Sequence, residues 1–455
     1  MKKNKLAIVF IFPLFLNLLF ISSFTHADLK SYVTKPDPTY SYEIVDTKDM
    51  EGCKAKIIRL TSQTWQNIVW THWLVLLCPP EIKNSDIAML VISGGYNQQK
   101  EPNINSIEFK IAVTVAKKTN SVIAVLSQVP NQPLFDGRNE DEIIAYTYDK
   151  YLNGEGDEWP LLLPMVKSAV RAMDTIQLVQ KDTDNHEIKR FVLTGGSKRG
   201  WTTWLTAATG DPRVVAIAPA VIDVLNMKQQ MLHQLECYGT FSSEIEDYTR
   251  LKIPQRMHSP KGEQLLSIVD PYTYRNSLTL PKLILLGTND PYWTVDSANL
   301  YFPDFPAPKY LCYQPNTGHD ASPTGIATLA EFFLSTKEKK SFPSVSWEIS
   351  KRNVINVKWD NPEGTAYLWK ADSNNRDFRN SKWESTPLKG KGKAKAKLVQ
   401  PKTGWSAYYV EVRFPGSFGN PYSICTQMKV LPENTYPFKV DKENVKAIPN
   451  DTTTK

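Results

Sequence analysis

Beyond its first residues, the sequence contains no long apolar run. No segment after residue 27 approaches the 18 consecutive apolar residues that indicate a membrane-spanning helix. Charge of one sign is not in large excess either, because 54 Lys and Arg residues face 47 Asp and Glu residues, for a formal net charge of +7. A chain of 455 residues this close to balance gives no indication of a nucleic acid partner. We therefore expect a protein that neither binds nucleic acid nor inserts stably into a membrane.

The one long apolar run covers residues 6–21 and follows three lysines among the first five residues. It is short for a bilayer span and leads to Thr25-His26-Ala27, which has small residues at both positions that a signal peptidase reads. We predict a signal peptide over residues 1–27 and a mature chain that is exported, periplasmic or secreted. The alternative is an uncleaved anchor.

Cysteine is scarce, with five residues, and none lies at the predicted cleavage point, which argues against a lipid anchor. Export permits disulfides. Cys53 and Cys78 bracket two β-rich runs that would lie side by side in a hairpin, so we predict a bridge between them. The other three cysteines leave an odd thiol.

The stretch from Arg190 to Gly210 reads RFVLTGGSKRGWTTWLTAATG and combines a buried strand, a glycine-rich turn and a helix. A strand that turns sharply into a helix needs a strained residue at the bend and no side chains beside it. Ser197 occupies the bend and three glycines leave space around it, as in the nucleophile elbow of α/β-hydrolases. The alternative is a tight turn in which the serine only caps the helix.

Apolar runs and helical stretches alternate along the first two thirds of the chain. This order predicts an α/β fold with a mostly parallel central sheet, covered on both faces by helices that include residues 111–118 and a long helix from about residue 161. A polar stretch over residues 128–142 separates them. We place a helical cap between the strand that follows the elbow and the next strand.

After residue 340, short alternating strands separated by turn residues predict a small β-sandwich. The predicted parts of the chain are the signal peptide (1–27), an α/β-hydrolase domain (28–340) with its cap (about 226–280), a C-terminal β-sandwich resembling fibronectin type III (341–435) and a flexible tail (436–455).

Two residues that can activate a serine follow later predicted strands. A serine hydroxyl is a poor nucleophile until a histidine accepts its proton and a carboxylate orients that histidine. Asp290 comes just after a buried strand in KLILLGTNDPYW, and His319 follows the next strand in YLCYQPNTGHD. The order Ser, Asp, His is that of α/β-hydrolases. The sequence therefore predicts a triad of Ser197, His319 and Asp290, although Asp290 or His319 taken alone fits a simple turn or capping residue.

Three other acids are alternatives to Asp290. Asp223 follows the strand after the elbow, Asp296 lies six residues past Asp290, and Asp320 adjoins His319. We prefer Asp290 because its Gly-x-x-Asp context matches the usual turn for the acid. Asp320 is poorly placed to reach the ring of its own neighbour.

The oxyanion that forms during acyl transfer needs backbone donors. The amide of Lys198, the residue after the nucleophile, is the first that we predict. The run Gly94-Gly95-Tyr96 follows the first central strand, and the amide of Gly95 or Tyr96 is the second. The Lys198 ammonium would add positive charge there; the alternative is a solvated charge at the start of a helix.

The remaining histidines and charged runs give weaker signals. His72 lies in an apolar strand, which indicates a core or edge position. His233 and Cys237 stand four apart on a predicted helix, but two ligands without a third are little support for a metal site. We interpret the acidic residues over 136–158 and the alternating lysines over 389–397 as solvated faces; the alternatives are contact with cationic ligands and with an anionic surface.

Four motifs carry a resemblance to a known family: VPNQPL at Val129–Leu134, WPLLLPMVKSAVRAMD at Trp159–Asp174, TGGSKRGWTTWLTA at Thr194–Ala207, and GTNDPYW with NTGHD. The chain resembles the PhoPQ-activated pathogenicity-related proteins, which also include secreted autocrine proliferation repressors of amoebae. The resemblance implies an α/β-hydrolase fold, a virulence- or stress-related setting, and Ser197, Asp290 and His319 at the triad positions. The elbow is also similar to that of glucuronoyl esterases, in which a cation follows the serine, although Trp201 stands where those enzymes carry a lysine.

From these observations we expect an exported serine hydrolase that cleaves an ester or amide of a small-molecule or peptide substrate, with no cofactor and no metal. A second hypothesis is a secreted signalling or binding protein on a hydrolase scaffold whose triad does not turn over.

Overall fold

The computed structural model of the protein describes residues 28–82 and 85–449. The predicted signal peptide lies outside these residues. Within the described ranges, no helix is both long enough and apolar enough to cross a bilayer.

Nine neighbouring strands of one larger sheet organise the first two thirds of the chain. Their order is β1-β2-β3-β5-β4-β6-β7-β8-β9. The strands from β4 onward pair in parallel, whereas β1, β2 and β3 run antiparallel to their neighbours. These strands are β1 (Ser41–Met50), β2 (Cys53–Trp65), β3 (Ile68–Cys78), β4 (Ile87–Ile92), β5 (Val122–Leu126), β6 (Arg190–Gly196), β7 (Val214–Ala220), β8 (Lys282–Gly287) and β9 (Lys309–Gln314).

Helices cover both faces of this sheet, because successive residues of a strand point to opposite sides. Leu193 packs in one core with the long helix α4, whereas its neighbour Val192 packs in a second core with α2 and α10. The helices are α1 (Leu29–Thr34), α2 (Ile107–Thr119), α3 (Glu140–Leu152), α4 (Leu162–Asp184), α5 (Lys198–Ala208), α6 (Met227–Tyr238), α7 (Glu246–Arg250), α8 (Ile253–Arg256), α9 (Pro260–Val269) and α10 (Pro323–Lys337).

The predicted α/β fold, with its mostly parallel sheet, is confirmed. The helices predicted over 111–118 and from about residue 161 correspond to α2 and α4. Helix α3 was not expected, because we interpreted its acidic residues only as part of a solvated face. The helices α6 to α9 occupy the stretch that we expected to form a cap.

The predicted disulfide between Cys53 and Cys78 is wrong, since both cysteines are free and buried. The hairpin itself forms, but its register pairs Cys78 with Lys54 rather than with Cys53. A shift of one residue reverses the face of the sheet to which a side chain points. Cys53 therefore packs in the core beneath α2, and Cys78 packs in the core beneath α4.

The C-terminal region is rich in strands and forms two layers. Its larger layer continues the central sheet, because Cys425 pairs with Leu311 of β9. The smaller layer, β10-β11-β14, packs against it through a shared apolar core. The strands are β10 (Val345–Ser350), β11 (Val354–Trp359), β12 (Thr365–Ser373), β13 (Glu384–Pro387), β14 (Lys393–Lys397), β15 (Trp405–Phe414), β16 (Tyr422–Cys425) and β17 (Lys429–Leu431).

Three of the five alternating lysines lie on β14, where Lys393, Lys395 and Lys397 share the exposed face and alanines fill the buried one. This arrangement follows from the two-residue period of a strand.

We predicted a flexible tail from residue 436, and the part of it that the structure describes contains a hairpin. Strand β18 (Phe438–Asp441) pairs with β19 (Lys446–Pro449) in an antiparallel hairpin. Val445, at its turn, is 1% exposed and packs against Leu232 and Leu235 of α6. The polar composition concealed this docking because only a few apolar residues, Val445 with the partly buried Val440 and Ala447, provide the anchor.

Candidate active site

Ser197 lies at a strained bend between β6 and α5. Its backbone has φ 57° and ψ −130°, a conformation that non-glycine residues rarely adopt and that costs on the order of 1–3 kcal/mol. Its side chain makes no capping hydrogen bond, so the capping alternative is not what the structure shows. Gly195 and Gly200 are required because a Cβ at Gly195 would lie 2.8 Å from the backbone of Arg199, and a Cβ at Gly200 would lie 2.9 Å from the carbonyl oxygen of Ala220.

Asp290 and His319 lie on the loops that follow β8 and β9. These loops are in close backbone contact, because a Cβ at Gly287 would lie 2.1 Å from the carbonyl oxygen of Gly318. The contact brings Nδ1 of His319 to 2.8 Å from Oδ2 of Asp290. The other carboxylate oxygen of Asp290 accepts a hydrogen bond of 2.9 Å from the backbone N–H of Tyr292, and only 6% of Asp290 is exposed.

The other ring nitrogen of His319 is free to act. Nε2 is buried and has no hydrogen-bond partner among residues 28–82 and 85–449. The ring of Tyr292 packs on the imidazole, with centroids 4.3 Å apart and an interplanar angle of 33°. His319 and Ser197 line the same two cavities. The imidazole is thus held by Asp290 on one side and by Tyr292 on its face, with Nε2 available to a group in the cavity.

Among the described residues, none of the three alternative acids forms a hydrogen bond or an ion pair with His319. Asp296 binds His233 and Arg376, and Asp320 is exposed and accepts from the N–H of Ala321. Asp223 is buried, and burial, with the charges of Asp290 and Asp296 adding to it, raises its pKa to about 8. Asp223 therefore carries a proton at neutral pH.

The two cations after Ser197 are not solvated, contrary to the alternative for Lys198. Lys198 is 5% exposed, and its ammonium lies 2.8 Å from Glu140 and 3.1 Å from Asp141. Arg199 donates to both oxygens of Glu140, at 2.7 and 2.6 Å. Burial alone would raise the pKa of Glu140, but its hydrogen bonds and charge interactions with Arg199, and then Lys198, lower it to about 2. The start of α5 is therefore locked to the start of α3.

Asp141 continues this network into the cavity, which it lines together with Ser197. The hydroxyl of Tyr248 in the cap donates to Asp141 at 2.8 Å, and that of Tyr292 donates at 3.4 Å. Burial, and then the charge of Asp141, raise the pKa of Tyr248 well above its usual value, so this hydroxyl stays protonated. The network links the nucleophile turn, the cap and the residue that packs on His319.

Sequence reasoning missed the roles of Glu140 and Asp141. The available signal was Asn139 followed by three acids, because asparagine favours the N-cap and acids favour the first turn of a helix. Recognising that helix would have placed both carboxylates at one helix end. It would not have revealed their partners.

The predicted oxyanion donors differ in their position relative to Ser197 and its cavities. The amide of Lys198 belongs to the first turn of α5, where N–H groups have no acceptor within the helix. Gly95 and Tyr96 do not line either cavity described for Ser197, whereas Gly94 lines the larger one. Tyr96 is 54% exposed, and its carbonyl accepts from Gln128. The second donor thus stays a prediction, with this loop beside the cavity.

His233, Cys237 and Asp296 form a buried group whose ligand atoms lie within 4.8 Å of one another. Arg376 already binds this group, donating to the Cys237 sulfur at 2.6 Å and to Asp296 at 2.8 Å. Burial opposes a charge on His233, but its charge interactions and hydrogen bonds with Asp296 and Cys237 together outweigh burial and raise the pKa of His233 well above its usual value. A metal ion would face a guanidinium and an imidazolium, so this donor set suits an internal ion cluster. His72, in contrast, is a fully buried core residue bonded to Ser62, as its strand position suggested.

The sheet is mostly parallel, and a strained serine lies between a central strand and its helix. An acid and a histidine follow two later strands. Together these features define an α/β-hydrolase fold. The chain belongs to the PhoPQ-activated pathogenicity-related protein family, whose model matches residues 29–379.

Similar proteins include one curated relative and several esterases of known structure. Autocrine proliferation repressor protein A from Dictyostelium discoideum is 30% identical over 471 residues, covering 92% of this chain and 93% of that protein. An acetyl xylan esterase from a Paenibacillus species has a TM-score of 0.49 and 14% identity, covering 68% of this chain and 92% of that one. A glucuronoyl esterase from Solibacter usitatus has a TM-score of 0.39 and 13% identity, covering 66% and 86%.

Proposed function

We propose that this protein is an exported serine hydrolase that cleaves a carboxylic ester or amide. The Ser197 hydroxyl attacks the carbonyl carbon while Nε2 of His319 takes its proton. The tetrahedral intermediate collapses to an acyl-enzyme, and His319 gives the proton to the departing alcohol or amine. Water then attacks the acyl-enzyme with His319 again as base, which releases the acid and restores Ser197. The amides of Lys198 and of Gly95 or Tyr96 donate to the oxyanion.

One observation carries this proposal: the buried Nε2 of His319 has no partner among the described residues and lines a cavity with the strained Ser197. A buried polar atom without a partner is uncommon and asks for an explanation. The explanation here is that Nε2 is the general base that accepts the proton of Ser197. The bond from Nδ1 to Asp290 selects the tautomer in which Nε2 is the acceptor.

Labelling with a fluorophosphonate probe tests the nucleophile. We expect the wild-type protein to be labelled at Ser197 and the Ser197→Ala variant to remain unlabelled. The matched control is Ser267→Ala, which removes an exposed cap serine whose hydroxyl bonds only to Gln264 among the described residues. Folded wild-type protein that is never labelled, or labelling that survives Ser197→Ala, contradicts the proposal.

The second candidate function is a secreted signalling or binding protein that retains the triad without turnover. The observation that favours it is the name of the curated relative, which describes an autocrine repressor of proliferation. Comparing wild type with Ser197→Ala in an assay of secreted signalling activity separates the two. Activity that persists in the variant favours the binding protein, and activity lost with the fold intact favours the enzyme.

A further inference from the structure

Two cavities of very different size meet at Ser197 and His319. The smaller, which we call the narrow pocket, has a volume of about 40 Å³ and lies beneath the cap. The larger, which we call the groove, has a volume of about 580 Å³. It runs between α2 and α10 across the ends of β4, β6 and β7. A substrate bound at Ser197 can therefore place its two halves in separate spaces.

The walls of the narrow pocket are apolar and buried. The side chains around it are between 2% and 8% exposed: Trp201, Ile222, Val224, Met227, Met231, Ile245, Met257 and Trp293. Its charged members, Lys198 and Asp141, are paired with each other at 3.1 Å. The narrow pocket thus offers no unpaired charge to a ligand and favours a group that is short and apolar.

The groove has a different character. Ile107 at its edge is 72% exposed, so the groove opens to solvent. Polar groups, including Ser93, Glu108 and Gln314, lie among its apolar walls. It accepts a group that is larger and partly polar.

We propose that the narrow pocket holds the acyl group, limited to about two to four carbons, and that the groove holds a bulkier alcohol. This inference rests on the proposed function. A cavity needs a volume of roughly 10–15 Å³ to hold one water molecule, so the narrow pocket has room for roughly three or four small groups. A longer chain would have to displace well-packed side chains, which is unfavourable.

The assignment of the two halves follows from the order of the reaction. The alcohol leaves first, and water must then reach the acyl-enzyme beside His319. The solvent-open groove provides this exit and entry, whereas a leaving group in the narrow pocket would be enclosed by the cap. The acyl group stays bound through both steps and is the part that buried walls can hold.

The test is a series of p-nitrophenyl esters with acetyl, butyryl and octanoyl groups. We expect kcat/KM for acetate or butyrate to exceed that for octanoate by at least about tenfold. A second series of acetate esters with phenol, naphthol and a sugar as the alcohol should vary much less. A flat profile, or a preference for octanoate, overturns the inference. Labelling by a short fluorophosphonate is measured in parallel, so loss of labelling identifies failure of the proposed function instead.

Widening the narrow pocket gives the decisive comparison. Met231→Ala and Met257→Ala remove side chains from its wall and should raise the octanoate-to-acetate ratio at least about tenfold. The control is Leu235→Ala, on the same helix as Met231 and equally buried, but packed against Val445 of the C-terminal hairpin. Its ratio should equal that of wild type. An unchanged ratio in both methionine variants, or an equal change in the control, overturns the inference.

Discussion

Replacing Asp290 by asparagine isolates the contribution of the carboxylate at nearly constant shape. In the native site, Oδ2 accepts from Nδ1 of His319 and Oδ1 accepts from the N–H of Tyr292. Asparagine has only one acceptor oxygen. If that oxygen stays on Tyr292, the amide donates to Nδ1, and Nε2 of His319 then carries the proton. In that tautomer it cannot accept the proton of Ser197.

The magnitude follows from the two ways in which the variant can be arranged. In the first arrangement, the asparagine side chain flips so that its oxygen accepts from Nδ1 and the productive tautomer is restored. Its amide nitrogen then faces the N–H of Tyr292, and this N–H loses a buried hydrogen bond worth about 1–3 kcal/mol. The imidazolium that forms during the reaction also loses a charged partner, worth about 1.5–3 kcal/mol. The total of about 2.5–6 kcal/mol corresponds to a loss of roughly 10² to 10⁴ in rate.

The assay is the rate of fluorophosphonate labelling together with kcat/KM on p-nitrophenyl acetate, on protein whose fold is checked by circular dichroism. The matched control is Asp223→Asn. Burial keeps Asp223 protonated at neutral pH, so the amide resembles the state already present. We expect this control to retain activity at pH 7. A loss below tenfold for Asp290→Asn, or an equal loss in both variants, would refute the role assigned to Asp290.

Three further predictions concern stability. Glu140→Gln leaves Arg199 without its carboxylate and should lower the free energy of unfolding in urea by about 1–3 kcal/mol at pH 7. Because the pKa of Glu140 is lowered from 4.5 to about 2, its contribution to stability is present above pH 4.5 and is lost as the pH falls towards 2. An equal loss of stability in the variant at pH 2 would contradict this prediction. Gly239→Ala should lower Tm and increase hydrogen exchange in the hairpin of β18 and β19. The reason is that Gly239 has φ 73° and that a Cβ there would lie 2.5 Å from the ring of Phe438. Unchanged hydrogen exchange in the hairpin would refute the contact. The raised pKa of Asp223 predicts that stability falls as the pH rises from 3.8 to about 8, by up to about 1.4 kcal/mol per pH unit, and that Asp223→Asn flattens this slope in urea titrations.

Much of the fold could be predicted because its signals are local. The alternation of apolar runs and helical stretches specifies a parallel sheet, and the glycines around Ser197 specify a sharp strand-to-helix turn. Asp290 and His319 could be selected because both follow strands, and parallel strands end at one edge of the sheet. Each strand, helix and turn in these inferences is indicated by a short window of sequence, and their order along the chain supplies the rest.

The tertiary structure alone decided the features that depend on register and on distant partners. A register offset of one residue puts Cys53 and Cys78 on opposite faces of the hairpin, although both lie where a bridge was expected. The buried ion pairs of Lys198 and Arg199 depend on Glu140, which lies 59 residues from Arg199 in sequence. Local patterns determine which residues form a strand or helix, whereas the three-dimensional packing of those elements determines which side chains meet.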